Sequence, residues 1–115
     1  MTRKEFLEFH KNCCTEMHTI TAQKNADYSA DSENDAFGNF RMVQYLGAAT
    51  VEQGFITRMT DKLARIASFC KKGELQVKNE SVTDTLLDLA NYCILFAGYL
   101  QSEKDKKHEQ QRKYQ

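Results

Sequence analysis

"NESVTDTLLDLANYCILFAGYL" (residues 79–100) decides how this chain folds. Val82, Leu86, Leu87, Leu89, Ala90, Cys93, Ile94, Phe96, Ala97 and Leu100 recur mainly at steps of three and four, the period of an α-helix rather than a strand. Asn79 and Ser81 are both good N-caps, and the pattern runs to about Ser102. Its apolar residues wrap most of the circumference. Such a helix lies at the centre of a bundle or is shared with another subunit.

Working outward, the chain contains no proline and five glycines, which leaves long uninterrupted segments. Thr2 and Glu5 form a capping-box pattern, after which Phe6, Phe9, Cys13, Met17 and Ile20 trace one face of a first helix ending near Lys24. Residues 25–38, "NADYSADSENDAFG", have the composition of turns and caps and predict an ordered loop. A short helix is expected from Asn39 to Leu46, closed by Gly47. Thr50 with Gln53 opens a third helix that runs to Lys72 and closes at Gly73, with Ile56, Met59, Leu63, Ile66 and Phe69 as its core face. The prediction is an all-α bundle of about four helices in one domain over residues 1–102. Residues 103–115, "EKDKKHEQQRKYQ", are almost free of apolar side chains and are expected to be a frayed, disordered tail.

Sixteen basic residues balance sixteen acidic ones over 115 positions, so there is no global field to hold nucleic acid or an anionic membrane. Any ligand must be gripped locally. Cys13, Cys14, Cys70 and Cys93 fit no zinc spacing and are expected to be buried free thiols, which places the chain in a reducing cytoplasm. Neither a signal peptide nor a membrane span is predicted. The fourth helix carries more apolar surface than three shorter neighbours cover, so a homo-oligomer is expected.

Glu80, Asp84 and Asp88 stand four apart, so a helix stacks their carboxylates on one stripe, which Asn91 extends. Like charges so placed either face a cation, a divalent metal or basic side chains from elsewhere in the fold, or leave only Asp88 in need of a partner, because the helix N-terminal dipole favours Glu80 and Asp84. On the third helix, Arg58, Asp61, Lys62 and Arg65 share one side; they form either a solvated ladder or a partner for that acidic stripe. In the loop, Lys24, Asp27 and Tyr28 offer charge, hydrogen bonding and stacking to a base or sugar, and Asn39 and Arg41 offer donors to an anion. His10, His18 and His108 have no metal spacing, and no phosphate-binding glycine loop or nucleophile elbow is present.

"KNADYS" with "FGNFR", then "TRMTDKLARIASF", then "NESVTDTLLDLANYCILF" resemble, in that order, the nucleotide-modification-associated domain family (first type) of phage and bacterial proteins. That family is similar in turn to the MazG-like and dimeric dUTPase-like all-α nucleoside triphosphate pyrophosphohydrolases, which hold magnesium with carboxylates on two helices. The resemblance implies Asp61 on the first metal helix and Glu80, Asp84 and Asp88 on the second. It also implies Lys24, Asp27, Asn39, Arg41, Lys62 and Arg65 as nucleotide contacts. Both metal helices depart from those enzymes. Lys62 and Arg65 stand where the first helix would continue an E-x-x-E pair, and Thr85 stands where E-x-x-D has glutamate.

Two expectations follow from different classes. The first is a magnesium-dependent nucleotide pyrophosphohydrolase in which Asp61, Glu80, Asp84 and Asp88 are catalytic metal ligands and a metal-bound water attacks. The second is a non-catalytic protein that sequesters a nucleotide, such as a cyclic or ADP-ribose-type signal in phage counter-defence.

Overall fold

The computed structural model describes residues 1–30, 34–73 and 81–113, and among them every regular element is helical. The elements are α1 (Arg3–Tyr28), α2 (Gly38–Tyr45), α3 (Val51–Lys72) and α4 (Val82–Lys113). No helix among the described residues is long and apolar enough to cross a membrane.

Local side-chain chemistry starts and stops these helices. At α1 the Glu5 amide donates to Thr2 Oγ1 (3.1 Å) and the Thr2 amide to Glu5 Oε2 (2.8 Å). Thr50 and Gln53 repeat the arrangement at α3. The Asp84 amide donates to Ser81 Oγ (3.0 Å), which starts α4. Gly47 after α2 and Gly73 after α3 both take positive φ, where an L side chain is strained.

Two ends differ from the sequence expectation. α1 continues past Lys24 to Tyr28, because the Ser29 amide caps it on the Asn25 carbonyl (2.9 Å) and the Tyr28 ring packs against Phe40 with centroids 5.3 Å apart. The expected loop therefore starts later. A Cβ on Gly38 would lie 2.5 Å from the Ser29 carbonyl oxygen, so only glycine lets α2 begin this close to the end of α1. α4 does not end at Ser102 but continues to Lys113, and the segment read as a disordered tail forms its last turns through residue 113. Side-chain pairs support these turns: Gln101 Nε2 donates to Asp105 Oδ1 (2.9 Å), and Lys106 reaches Glu103 (3.5 Å).

α3 packs along α4, and aromatic rings fill the seam. Phe55 is fully buried, stacked on Phe40 (4.5 Å between centroids) and on Phe96 (4.8 Å), while Tyr99 meets Phe37 edge-on. Val51 and Leu95 complete the core. This corrects the core face assigned to α3: Val51 and Phe55 point inward, whereas Ile56 and Leu63 are exposed. The cysteines also differ from expectation. All four are free, but Cys14, Cys70 and Cys93 are exposed and Cys13 is only half-buried, because no element among the described residues covers the helix faces that carry them.

Arg41 fastens α2 to the far end of α4. Its Nε lies 2.7 Å from Asp35 Oδ2, its Nη1 lies 2.9 Å from Glu103 Oε1, and its guanidinium sits 5.1 Å from the Tyr99 ring centroid. Partial burial pushes the Asp35 and Glu103 carboxyls up, yet the Arg41 guanidinium outweighs it and holds both below the usual carboxylate range, helped at Asp35 by the Phe37 amide. Groups with depressed folded pKa values contribute stability that is present above the unfolded carboxylate value of about 4 and lost as pH falls through the folded ones. Both carboxylates are a third exposed, so screening limits the contribution to about 1 kcal/mol. Arg41→Met should therefore weaken the protein by about that amount at pH 7, and the variant should lose less stability than the wild type between pH 6 and pH 3. Urea unfolding at both pH values measures this; identical acid sensitivity in the two proteins would refute the clamp.

Candidate functional site

Positions 20, 24 and 28 fall on one stripe of α1, and 88, 91, 92 and 95 on one side of α4. Where those surfaces face each other beside α3, Ile20, Lys24, Tyr28, Lys62, Asp88, Asn91, Tyr92 and Leu95 line a cleft of about 60 Å³. Asn91 is held in place by Thr21 of α1, its Nδ2 donating to Thr21 Oγ1 (2.6 Å). Lys62 Nζ lies 3.5 Å from Asp88 Oδ2, and the Lys62 side chain is only 16% exposed.

The electrostatics favour an anion. Two ammonium groups, Lys24 and Lys62, meet one carboxylate, Asp88, at the walls of the cleft. Burial raises the Tyr28 phenol above its ordinary value of 10.0, and the Tyr92 phenol and Asp88 carboxylate add to the shift against the opposing Arg58. Tyr28 therefore keeps its proton at neutral pH and acts as a hydrogen-bond donor. Ammonium, phenol and amide donors around a small polar hollow suit the oxygens of a phosphate or carboxylate.

Of the residues singled out from the sequence, Lys24, Tyr28, Lys62, Asp88 and Asn91 come together here. The others are placed elsewhere. Asp61, one position before Lys62, is turned about 100° around the helix; its side chain is 60% exposed and lies 3.4 Å from Arg65 Nη2. Asp84 is exposed at the start of α4, and Asp27 is exposed on the last turn of α1. Arg41 is engaged by Asp35 and Glu103, and Asn39 lines a different hollow. Glu80 lies outside the described residues.

This placement bears on a magnesium site. Asp61, Asp84 and Asp88 do not converge, Asp88 already faces Lys62, and no group of three His, Cys, Asp or Glu side chains among the described residues is arranged to hold a metal ion. Among the described residues, the three carboxylates of the expected set do not by themselves make a cation site, and Glu80, the fourth, lies outside those residues. Tyr92, Ile20 and Leu95 are cleft residues that motif reading did not single out. For Tyr92 the signal was present, since it stands four after Asp88 and next to Asn91. Ile20 reads as an ordinary apolar position of the first helix, and Leu95 is not among the residues the helical pattern picks out.

Residues 24–97 match a family model described as "Nucleotide modification associated domain 1", a span that begins at Lys24 and contains every cleft residue except Ile20. No curated protein and no solved structure matches the chain.

Proposed function

Because the chain belongs to the nucleotide modification associated domain 1 family, we propose that it binds a nucleotide, with the phosphate held in the cleft between α1, α3 and α4. The observation that carries this reading is the convergence of Lys24, Lys62, Tyr28 and Asn91 on one cleft inside the family span. Lys24 and Lys62 supply charge, the protonated Tyr28 phenol and the Asn91 amide supply directed donors, and Leu95 and Ile20 close the floor. A volume of about 60 Å³ suits a single phosphate group rather than a whole nucleotide. The sugar and base then lie outside it.

Capture without turnover fits this donor set better than hydrolysis does. A pyrophosphohydrolase of the MazG-like kind needs several carboxylates around magnesium, and of Asp61, Asp84 and Asp88 only Asp88 reaches the cleft. In our reading Asp88 tempers Lys62, and a sequestering role toward a phosphate-bearing signal follows from binding alone. The exposed Ile94 and Leu100 of α4 further support pairing with a second copy of this chain.

Asp88→Asn separates the two chemistries. The substitution keeps shape but removes the charge that competes with a phosphate for Lys62, so nucleotide affinity should rise several-fold in calorimetric titration, with magnesium making little difference. Magnesium-dependent release of product by the wild type, abolished in Asp88→Asn, would overturn the binding reading in favour of the hydrolase.

A further inference from the structure

A second hollow, about 190 Å³ and so larger than the phosphate cleft, opens between α2 and α3. Phe40, Val43 and Gly54 give it an apolar wall, and Asn39, Thr57 and Arg58 add polar groups. The Asn39 side chain is half-buried and makes no hydrogen bond among the described residues, which leaves both N–H donors of its amide and its carbonyl acceptor for a ligand. The Arg58 guanidinium lies 4.4 Å from the Phe40 ring centroid and has no carboxylate partner among the described residues.

This hollow and the phosphate cleft are neighbours along the same helix. Gly54, Arg58 and Lys62 follow one another at four-residue steps on α3, about 6 Å of rise each, and the first two line the hollow while the third lines the cleft. The Tyr28 ring, a wall of the cleft, packs 5.3 Å from the ring of Phe40, a wall of the hollow. One aromatic pair therefore separates an apolar chamber with an uncommitted amide from a cationic chamber sized for one phosphate. A molecule matching both has a flat, hydrogen-bonding ring at one end and a single phosphate at the other.

We propose that the α2–α3 hollow is a nucleobase subsite and that one nucleoside monophosphate spans it and the phosphate cleft. The base packs against Phe40 and Val43 and is read at its edge by the Asn39 amide, while Arg58 stands beside the sugar and phosphate. This rests on the reading of the cleft given above.

Backbone amide shifts of the full chain, followed by NMR during titration with thymidine, adenosine, their 5′-monophosphates and inorganic phosphate, test the assignment. The nucleosides, which lack phosphate, should shift the amides of Val43, Gly54 and Thr57, and inorganic phosphate should shift those around Lys62 and Asn91. Asn39→Leu should weaken monophosphate binding about tenfold and leave inorganic phosphate unaffected. Gly54→Leu, which fills the hollow, should do the same; because a Cβ at Gly54 already lies 2.9 Å from Val43 Cγ1, Asn39→Leu is the variant that tests the subsite without crowding. Nucleosides that shift no amide of the hollow, or an Asn39→Leu protein with unchanged monophosphate affinity, would overturn the subsite while leaving the phosphate cleft standing. Nucleoside shifts at the hollow without phosphate shifts at Lys62 would support the subsite and overturn the cleft instead.

Discussion

Replacing Phe55 by alanine should cost about 3–5 kcal/mol of folding stability, the largest loss expected from any single truncation in this chain. Phe55 is fully buried between two nearly parallel rings, Phe40 at 11° and Phe96 at 6°, with Tyr99 tilted against its edge at 5.8 Å. Removing it deletes the layer that joins α2, α3 and α4, and the helices cannot close the gap without dragging Val51 and Leu95 along. Against a typical total of 5–15 kcal/mol for a domain, the loss leaves a marginal protein. Chemical denaturation followed by circular dichroism measures it; a change below about 1 kcal/mol would mean that this seam is not the core. Ile56 is the control, since it follows Phe55 in sequence yet is 52% exposed. In an isolated chain, Ile56→Ala should stay within about 0.5 kcal/mol of the wild type. The same unfolding curves read self-association, because a second copy that covers the exposed apolar faces makes the midpoint rise with protein concentration.

Nucleotide binding should collapse in Lys62→Glu, with affinity falling by about a hundredfold or more. A charge-assisted hydrogen bond is worth about 1.5–3 kcal/mol, and every 1.4 kcal/mol is a factor of ten, so Lys62→Ala alone should cost ten- to a hundredfold. Charge reversal adds repulsion, because a second carboxylate beside Asp88 turns an attractive cleft into one that rejects phosphate. Folding stability should move by less than 1 kcal/mol in Lys62→Ala, since a partly exposed ion pair contributes little. Calorimetric titration with a nucleoside monophosphate, alongside Asp61→Asn, checks the geometry. The Asp61 carboxylate is turned away from the cleft toward Arg65, so its removal should leave affinity unchanged. Equal losses in the Lys62 and Asp61 variants would show that both residues face the ligand and would sink the assignment of the cleft.

The two variants concern adjacent residues, and they show where sequence reading stops. Arg58, Asp61, Lys62 and Arg65 share a broad side of a helix, and spacing alone makes them one group. Only the line along which α4 crosses α3 puts Lys62 against Asp88 and leaves Asp61 in solvent with Arg65. The two apolar stripes of α3 pose the same problem. Val51 with Phe55, and Ile56 with Leu63, both have helical spacing, and the choice between them belongs to the partner helix. The family model bears out the family resemblance over residues 24–97, while the packing turns Asp61 toward Arg65 and engages Arg41 with Asp35 and Glu103, away from the cleft that Lys24 and Lys62 line.

What the sequence determined by itself is whatever depends on residues within about four positions of one another. The helical period, the Thr2, Thr50 and Ser81 caps and the glycine stops at 47 and 73 are all of this kind, because one turn of helix contains both partners of each interaction. What the tertiary structure decided joins residues far apart in the chain. Tyr28 extends α1 by packing on Phe40, Glu103 ties the late turns of α4 to Arg41, and Lys24, Lys62 and Asp88 meet from three helices. Such contacts follow from the angle and height at which apolar faces interlock. That choice minimises exposed surface over the whole chain at once, so no local stretch of sequence encodes it.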